Sequence, residues 1–221
     1  KMRNFSKYSF YTYSHKGAEM IKYFNKPMEE VTTYEMRKFL IMLKEERHLA
    51  NKTVNYYNSI LRFMYEVTMD KVLNKKQIQM LKHKRRICKV LTKEELSTFF
   101  NACDTLRVRK GMNGDIRKIT VPVFFRLLYS SGMRTTEVRL LRIEDVNLEN
   151  GVINIRFSKG FNQHFTVLHD SMLELMRVYD SAISKLVPNR VYFFPKNADK
   201  GFSDQWVRYF FRILWDQNNN I

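Results

Sequence analysis

Two cations in one stretch, Arg134 and Lys159, have the types and placement to work on a common anion. The stretch is residues 124–160, FFRLLYSSGMRTTEVRLLRIEDVNLENGVINIRFSKG. It reads as an apolar helix, a glycine stop, an arginine opening a second short helix, then a β-hairpin with Lys159 near a turn. Helix ends and tight turns combine fixed geometry with solvent access, so two cations placed there can meet a common anion. Arginine offers a planar fork that fits a phosphate, and lysine offers a point charge that can also give up a proton. That is the equipment of phosphoryl transfer.

The elements that must hold these residues follow from periodicity. In the first part of the chain, residues 14–25 carry Ala18, Met20, Ile21 and Phe24 at helical spacing. Thr32 or Thr33 caps a second helix with Met36, Phe39, Leu40 and Leu43 on one face. Asn51 caps a third, reaching about Val67, with Lys52, Asn55 and Arg62 outward. A short helix is expected around residues 75–80. This makes a small all-α unit over residues 1–88. A cationic run, KHKRRICK at 82–89, interrupts the pattern and reads as a linker, residues 82–90.

The second unit is expected from residue 91 onward. Thr92 and Glu95 form a capping box ahead of a helix through Cys103. After the polar loop RKGMNGD, a helix covers residues 116–131 and stops at Gly132. Residues 135–141 make a short amphipathic helix. Residues 146–148, 152–157 and 164–168 then read as three antiparallel strands, the first two joined at Glu149-Asn150-Gly151, because Asn-Gly is a hairpin signal. Asp170 caps a helix to about Leu186, and Ser203 caps a last one to about Asp216. The expected fold class is mainly α with a small three-stranded antiparallel sheet.

Charge points to the partner. The chain carries 39 Lys+Arg against 22 Asp+Glu, a formal net charge of +17, which favours a polyanion over a small molecule. Residues 1–90 hold 20 of those cations against 8 acids, so the front unit reads as the electrostatic grip. Within it, Lys52, Thr53 and Asn55 at the start of the third helix are candidates for phosphate or groove contact with double-stranded DNA. In the linker, Lys82, Lys84, Arg85, Arg86 and Lys89 are candidates for phosphate contact. Two cysteines, Cys88 and Cys103, cannot build a disulfide framework or a four-ligand metal site. They fit a reducing, cytoplasmic compartment. No run is long and apolar enough to suggest a membrane span, and the start lacks a signal-peptide core.

The order of these parts resembles the tyrosine recombinase and phage integrase family. The resemblance is carried by NKTVNYYNSILRFMYE in the helical unit, KVLTKEELSTFF after the linker, the YSSGMRTTEVRLLRIEDVNLENGVI block, and SKG in the hairpin. It implies an N-terminal core-binding domain at 1–88 and a catalytic domain at 91–221. In the family's G-x-R-x-x-E motif the arginine matches Arg134 and the glutamate Glu137, and the hairpin lysine matches Lys159. The implied chemistry is site-specific DNA cleavage and rejoining by a tyrosine nucleophile, with Arg134 on the phosphate and Lys159 as general acid. No metal or other cofactor is implied. Family members act as homo-oligomers, typically tetramers, on two duplexes.

The chain also departs from that pattern. No H-x-x-R motif follows Arg134, and Tyr192 and Tyr209 precede the place of the nucleophile, so both read as packing residues. Phe161-Asn-Gln-His164 replaces a more basic run after the lysine. The expectation is a catalytic domain incomplete at its C-terminus and a chain that by itself does not cleave DNA. Two rivals stand beside it: a DNA-binding relative without catalysis, and a type IB topoisomerase, against which the small helical domain argues.

Overall fold

In the computed structural model the chain divides into two compact units, Lys1–Cys88 and Lys89–Ile221. Residues 6–74, 76–84, 87–88, 90–156 and 163–219 are described, the last three by backbone alone. No helix among them is long and apolar enough to cross a membrane.

The first unit is built on three helices: α1 (Lys7–Phe24), α2 (Thr33–Glu45) and α3 (Asn51–Met69). Helix α1 starts earlier than periodicity suggests, because the Ser6 hydroxyl accepts from the Ser9 N–H and caps the helix. Its inner face is Gly17 and Met20, while Ala18 and Ile21 face solvent. Thr32 caps α2 in a reciprocal box with Glu35. Met36, Phe39, Leu40 and Leu43 are buried as expected, and they join Met20, Val54, Ile60 and Leu61 in one apolar core. Removing a fully buried leucine such as Leu61 in a core of this kind costs about 2–5 kcal/mol.

Three expectations fail along α3, for one reason. Asn51 is inside the helix, not its cap, Arg62 points inward, and residues 76–80 form no helix. Lys75 lies outside the described residues. Instead, the chain after α3 runs back over α2 and α3 in irregular form, burying Leu73 and Ile78. An irregular segment leaves its carbonyls without regular partners, and the fold supplies them from side chains. The Asn51 amide donates to the Lys82 carbonyl at 2.7 Å, Asn55 to Leu81 at 2.8 Å, and Asn58 to Gln79 at 3.0 Å. Arg62 donates to the carbonyls of Leu73 and Ile78. These four residues share one face of α3.

The second unit is centred on α5 (Met112–Ser131), which packs on α4 (Lys93–Asp104) and α7 (Asp170–Leu186). Thr92 and Glu95 cap α4 as the sequence indicates. Helix α5 begins at Met112, four residues before the expected start, because RKGMNGD is a closed turn and not an open loop. The Gly114 N–H donates to the Gly111 carbonyl at 2.7 Å. A Cβ on Gly114 would lie 1.9 Å from the Arg109 carbonyl, so only glycine admits this turn. Gly132, at φ 63°, ends α5 in the left-handed region.

After α6 (Thr135–Arg139) comes a three-stranded antiparallel sheet, β1 (Val146–Asn147), β2 (Val152–Ile155) and β3 (His164–Val167). Register pairs Ile153 with Thr166 and Ile155 with His164 on the inner face, leaving Phe165 and Val167 outside. The cap of α7 is His169, whose ring nitrogen accepts from the Ser171 N–H, so Asp170 becomes its first residue. A second, two-stranded sheet of β4 (Pro195–Asn197) and β5 (Lys200–Gly201) has no counterpart in the sequence reading. Ser203 then caps α8 (Asp204–Asn219). Phe124, Phe193 and Phe194 fill the centre, with Phe124 and Phe194 edge to face at 5.3 Å. Tyr192 is half-buried, and Tyr209, 51% exposed, packs edge to face on Phe210 at 5.2 Å.

Candidate DNA-processing site

Arg134 stands at the N-cap position of α6, directly after the glycine that stops α5. Its backbone N–H donates to Glu137 Oε2 at 2.7 Å, and its guanidinium Nη1 donates to Oε1 of the same carboxylate at 2.7 Å. One carboxylate therefore fixes both ends of the arginine. The Glu137 side chain is 3% exposed and that of Arg134 is 59% exposed, so a buried acid anchors a solvent-facing cation. The local sequence explains this. Val138 in α6 and Leu141 just after it are buried apolar anchors, and Glu137 beside Val138 goes inward too.

Burial alone would raise the Glu137 carboxyl. Hydrogen bonds from the Arg134 backbone and guanidinium outweigh it, and the nearby charges of Arg134 and His164 help, so the group sits below the usual carboxylate range. It stays ionised at neutral pH. The guanidinium is thus held by a charge-assisted bond on one side, which sets the fork's orientation.

The sheet brings further charges to this acid. A small recess beside Glu137 is lined also by Asp145 and Arg156, at the end of β2. Arg156 pairs through Nε with the buried Asp145 and through Nη1 with Glu144 at 3.1 Å. Arg142 reaches the same Glu144 at 3.4 Å. Sequence reasoning missed this cluster. The signal was present in Ile143-Glu-Asp145 followed by an outward arginine, but only the hairpin brings Arg156 back to it. His164, at the start of β3, pairs with Ile155 and is exposed. Arg156 and Gln163 are the described residues that precede and follow residues 157–162. Lys159 itself lies outside the described residues, as do Arg85, Arg86 and Lys89.

The other candidates divide. Lys52, Lys82 and Lys84 are exposed, and Thr53 is half-buried near the start of α3. Asn55 does not present a free amide: it also accepts from the Leu81 N–H at 2.7 Å, so both ends of its side chain are committed to the fold. The only H-x-x-R spacing in the chain, His83 to Arg86, falls in the basic connector ahead of Arg134, not after it. Among the described residues no group of three His, Cys, Asp or Glu is arranged to hold a metal ion.

A helical unit followed by a helix-rich unit with a small antiparallel sheet, and an arginine of G-x-R-x-x-E at the head of the helix before that sheet, is the arrangement of the integrase-type enzymes. Residues 89–220 match the phage integrase family, and residues 1–75 match its N-terminal SAM-like domain. The chain belongs to the phage integrase family, the tyrosine recombinases. Among its relatives is a probable integrase/recombinase of Methanocaldococcus jannaschii, 24% identical over 159 residues, covering 72% of this chain and 48% of that protein. Tyrosine recombinase XerC of Bacillus subtilis is 26% identical over 154 residues, covering 68% and 48%. The chain thus spans about half the length of the curated relatives it matches. The fold is shared with XerH bound to its palindromic difH substrate, at TM-score 0.72 and 18% identity, over 94% of this chain and 62% of that one. It is shared as well with a lambda integrase tetramer bound to a Holliday junction, at TM-score 0.64 and 14% identity, over 98% and 59%.

Proposed function

We propose that this chain serves site-specific DNA recombination, binding duplex DNA and supplying the arginine that clamps the scissile phosphate. The observation that carries this is the Arg134–Glu137 pair: a buried carboxylate holding a 59% exposed guanidinium in one orientation at a helix start. An enzyme gains rate from donors fixed before charge develops, because no reorganisation is then needed in the transition state.

In the reaction of such a site, a tyrosine oxygen attacks the phosphorus and the bond to the 5′-oxygen breaks. A 3′-phosphotyrosyl link forms, and the 5′-oxygen leaves as a hydroxyl. Arg134 neutralises the extra negative charge on the non-bridging oxygens. Lys159, which lies between β2 and β3 in the sequence, gives its proton to the departing oxygen, as general acid catalysis of a poor leaving group requires. The nucleophile and the H-x-x-R residues of the family do not follow Arg134 within these 221 residues, so cleavage is proposed for the whole protein. Homo-oligomeric assembly on DNA is part of the proposal, supported by the fold shared with the tetrameric lambda integrase complex.

Two experiments test this. Binding of the chain to a duplex is expected to weaken steeply as salt rises, and an affinity nearly constant between low and physiological salt overturns the DNA reading. In a protein that carries the nucleophile, a denaturant-resistant protein–DNA adduct is expected and is lost with Arg134→Ala. A protein that binds but never forms the adduct is a DNA-binding relative without catalysis.

A further inference from the structure

The second unit carries a cation cluster far from Arg134 that the recombination site does not use. Arg107, Arg109 and Lys110 precede α5, and Arg117 and Lys118 lie in its second turn; all five are exposed. Among the described residues none of the five makes a side-chain hydrogen bond or ion pair. Nearby acids do not neutralise them: Asp104 is engaged by Arg126 at 2.8 Å, and Asp115 is the single acid of the first turn of α5.

This placement works against the helix. The N-terminal end of α5 bears the positive end of its dipole, where cations are unfavourable. A fold seeking only stability or solubility would set acids there, as α4 does with Glu94 and Glu95 in its first turn. The cluster is also held in shape. The turn that displays it is closed by the Gly114–Gly111 hydrogen bond and by the close approach of the Arg109 carbonyl to Gly114. Arg109 and Lys110 on the turn, Arg107 just before it and two cations of the helix are thereby displayed by one continuous segment. An ordered cluster of uncompensated cations is the electrostatic footprint of a phosphate-bearing partner.

Arg134 follows the opposite end of the same helix, and 20 residues of α-helix span about 30 Å. That is close to one helical turn of duplex, about 34 Å. We infer that Arg107, Arg109, Lys110, Arg117 and Lys118 form a second duplex-DNA contact, about one turn of duplex away from the phosphate at Arg134. The contact is assigned to the phosphate backbone, where arginine and lysine hold a duplex independently of its base sequence. The inference rests on the DNA-binding reading above.

The test measures binding of the full chain to one duplex of about three turns over a salt series. Each phosphate contact contributes about 0.9 to the slope of log affinity against log salt. Replacing all five cations by glutamine is expected to lower the slope by about 3–4 and to weaken binding about 10- to 100-fold near physiological salt. Thermal melting of the same variant is expected to be unchanged or slightly raised, since cations leave the positive end of α5. R107K/R109K/R117K, which keeps the charge, is expected to keep the slope. If the parent chain binds steeply and the five-glutamine variant retains its slope and affinity, the second contact is overturned while the DNA reading stands. If the parent chain does not bind duplex, both fall. If the variant melts early, R107Q/R109Q alone decides: a slope lowered by about 1–2 supports the contact, and an unchanged slope overturns it.

Discussion

Two polar clusters, one in each unit, use similar side chains to opposite ends. On α3, Asn51, Asn55, Asn58 and Arg62 donate to carbonyls of the segment that crosses them, so their hydrogen-bonding capacity is turned onto the chain itself. At the start of α6, Glu137 is buried and Arg134 remains largely exposed, so the fold secures one partner in order to display the other. Both clusters lie at helical spacing, and Asn55 and Arg62 read as outward-facing in the sequence. The difference is in exposure: an irregular segment with unmet carbonyls covers α3, whereas the Arg134 side chain is 59% exposed. A polar helical face thus identifies a binding surface only when no part of the chain occupies it first.

The comparison can be broken most sharply at Arg134. Arg134→Ala is expected to lower strand cleavage by about 100- to 1000-fold in a protein carrying the nucleophile. It is expected to cost about 1–2 kcal/mol of stability, because the buried Glu137 carboxylate keeps the Arg134 N–H but loses its guanidinium partner. Rates from single-turnover cleavage, with melting of the same protein, check both halves. A large loss of stability would make Arg134 a structural residue like those of α3.

Arg62→Ala is expected to do the reverse. It leaves the Leu73 and Ile78 carbonyls short of a donor and is expected to destabilise the first unit by about 2–4 kcal/mol, read from urea unfolding. Duplex affinity under native conditions should hold. Asn55→Ala is the milder version, at about 1–2 kcal/mol, from two lost hydrogen bonds. If it instead weakens DNA binding without altering the urea midpoint, Asn55 contacts DNA after all, and the contrast drawn above fails.

The smallest effect is in the pH dependence. Because Glu137 is held below its ordinary pKa in the folded chain, its contribution to stability is full above the ordinary carboxylate range. It is lost as pH falls through the folded value. Glu137→Gln removes that contribution, so unfolding midpoints between pH 7 and pH 3 should fall less steeply than in the parent. Parallel curves would show that Glu137 is not selectively stabilised as an anion.

Much of the fold is legible because it depends on local chemistry. The capping boxes at Thr32–Glu35 and Thr92–Glu95, the glycine stop at Gly132 and the Asn-Gly turn all act within a few residues. The G-x-R-x-x-E spacing belongs to the same class, since a carboxylate three residues after an N-cap arginine can reach both its N–H and its guanidinium. What escaped has long-range causes. Arg62 was read as outward because nothing nearby shows that residues 71–82 return over it. Arg156 gained its role only when the hairpin set it against Asp145. The β4–β5 pair is short, and its two strands carry no alternation of apolar residues to announce it.

The amino-acid sequence by itself determined the helical content, the family, the charge that calls for a polyanion, and the identity of Arg134 and Glu137 as a pair. Tertiary structure alone decided which polar residues are available to a partner. Availability depends on the competition between the chain's own unmet backbone groups and an external ligand for the same donors. That competition is settled by segments distant in sequence, so it becomes visible only once the chain has folded back on itself.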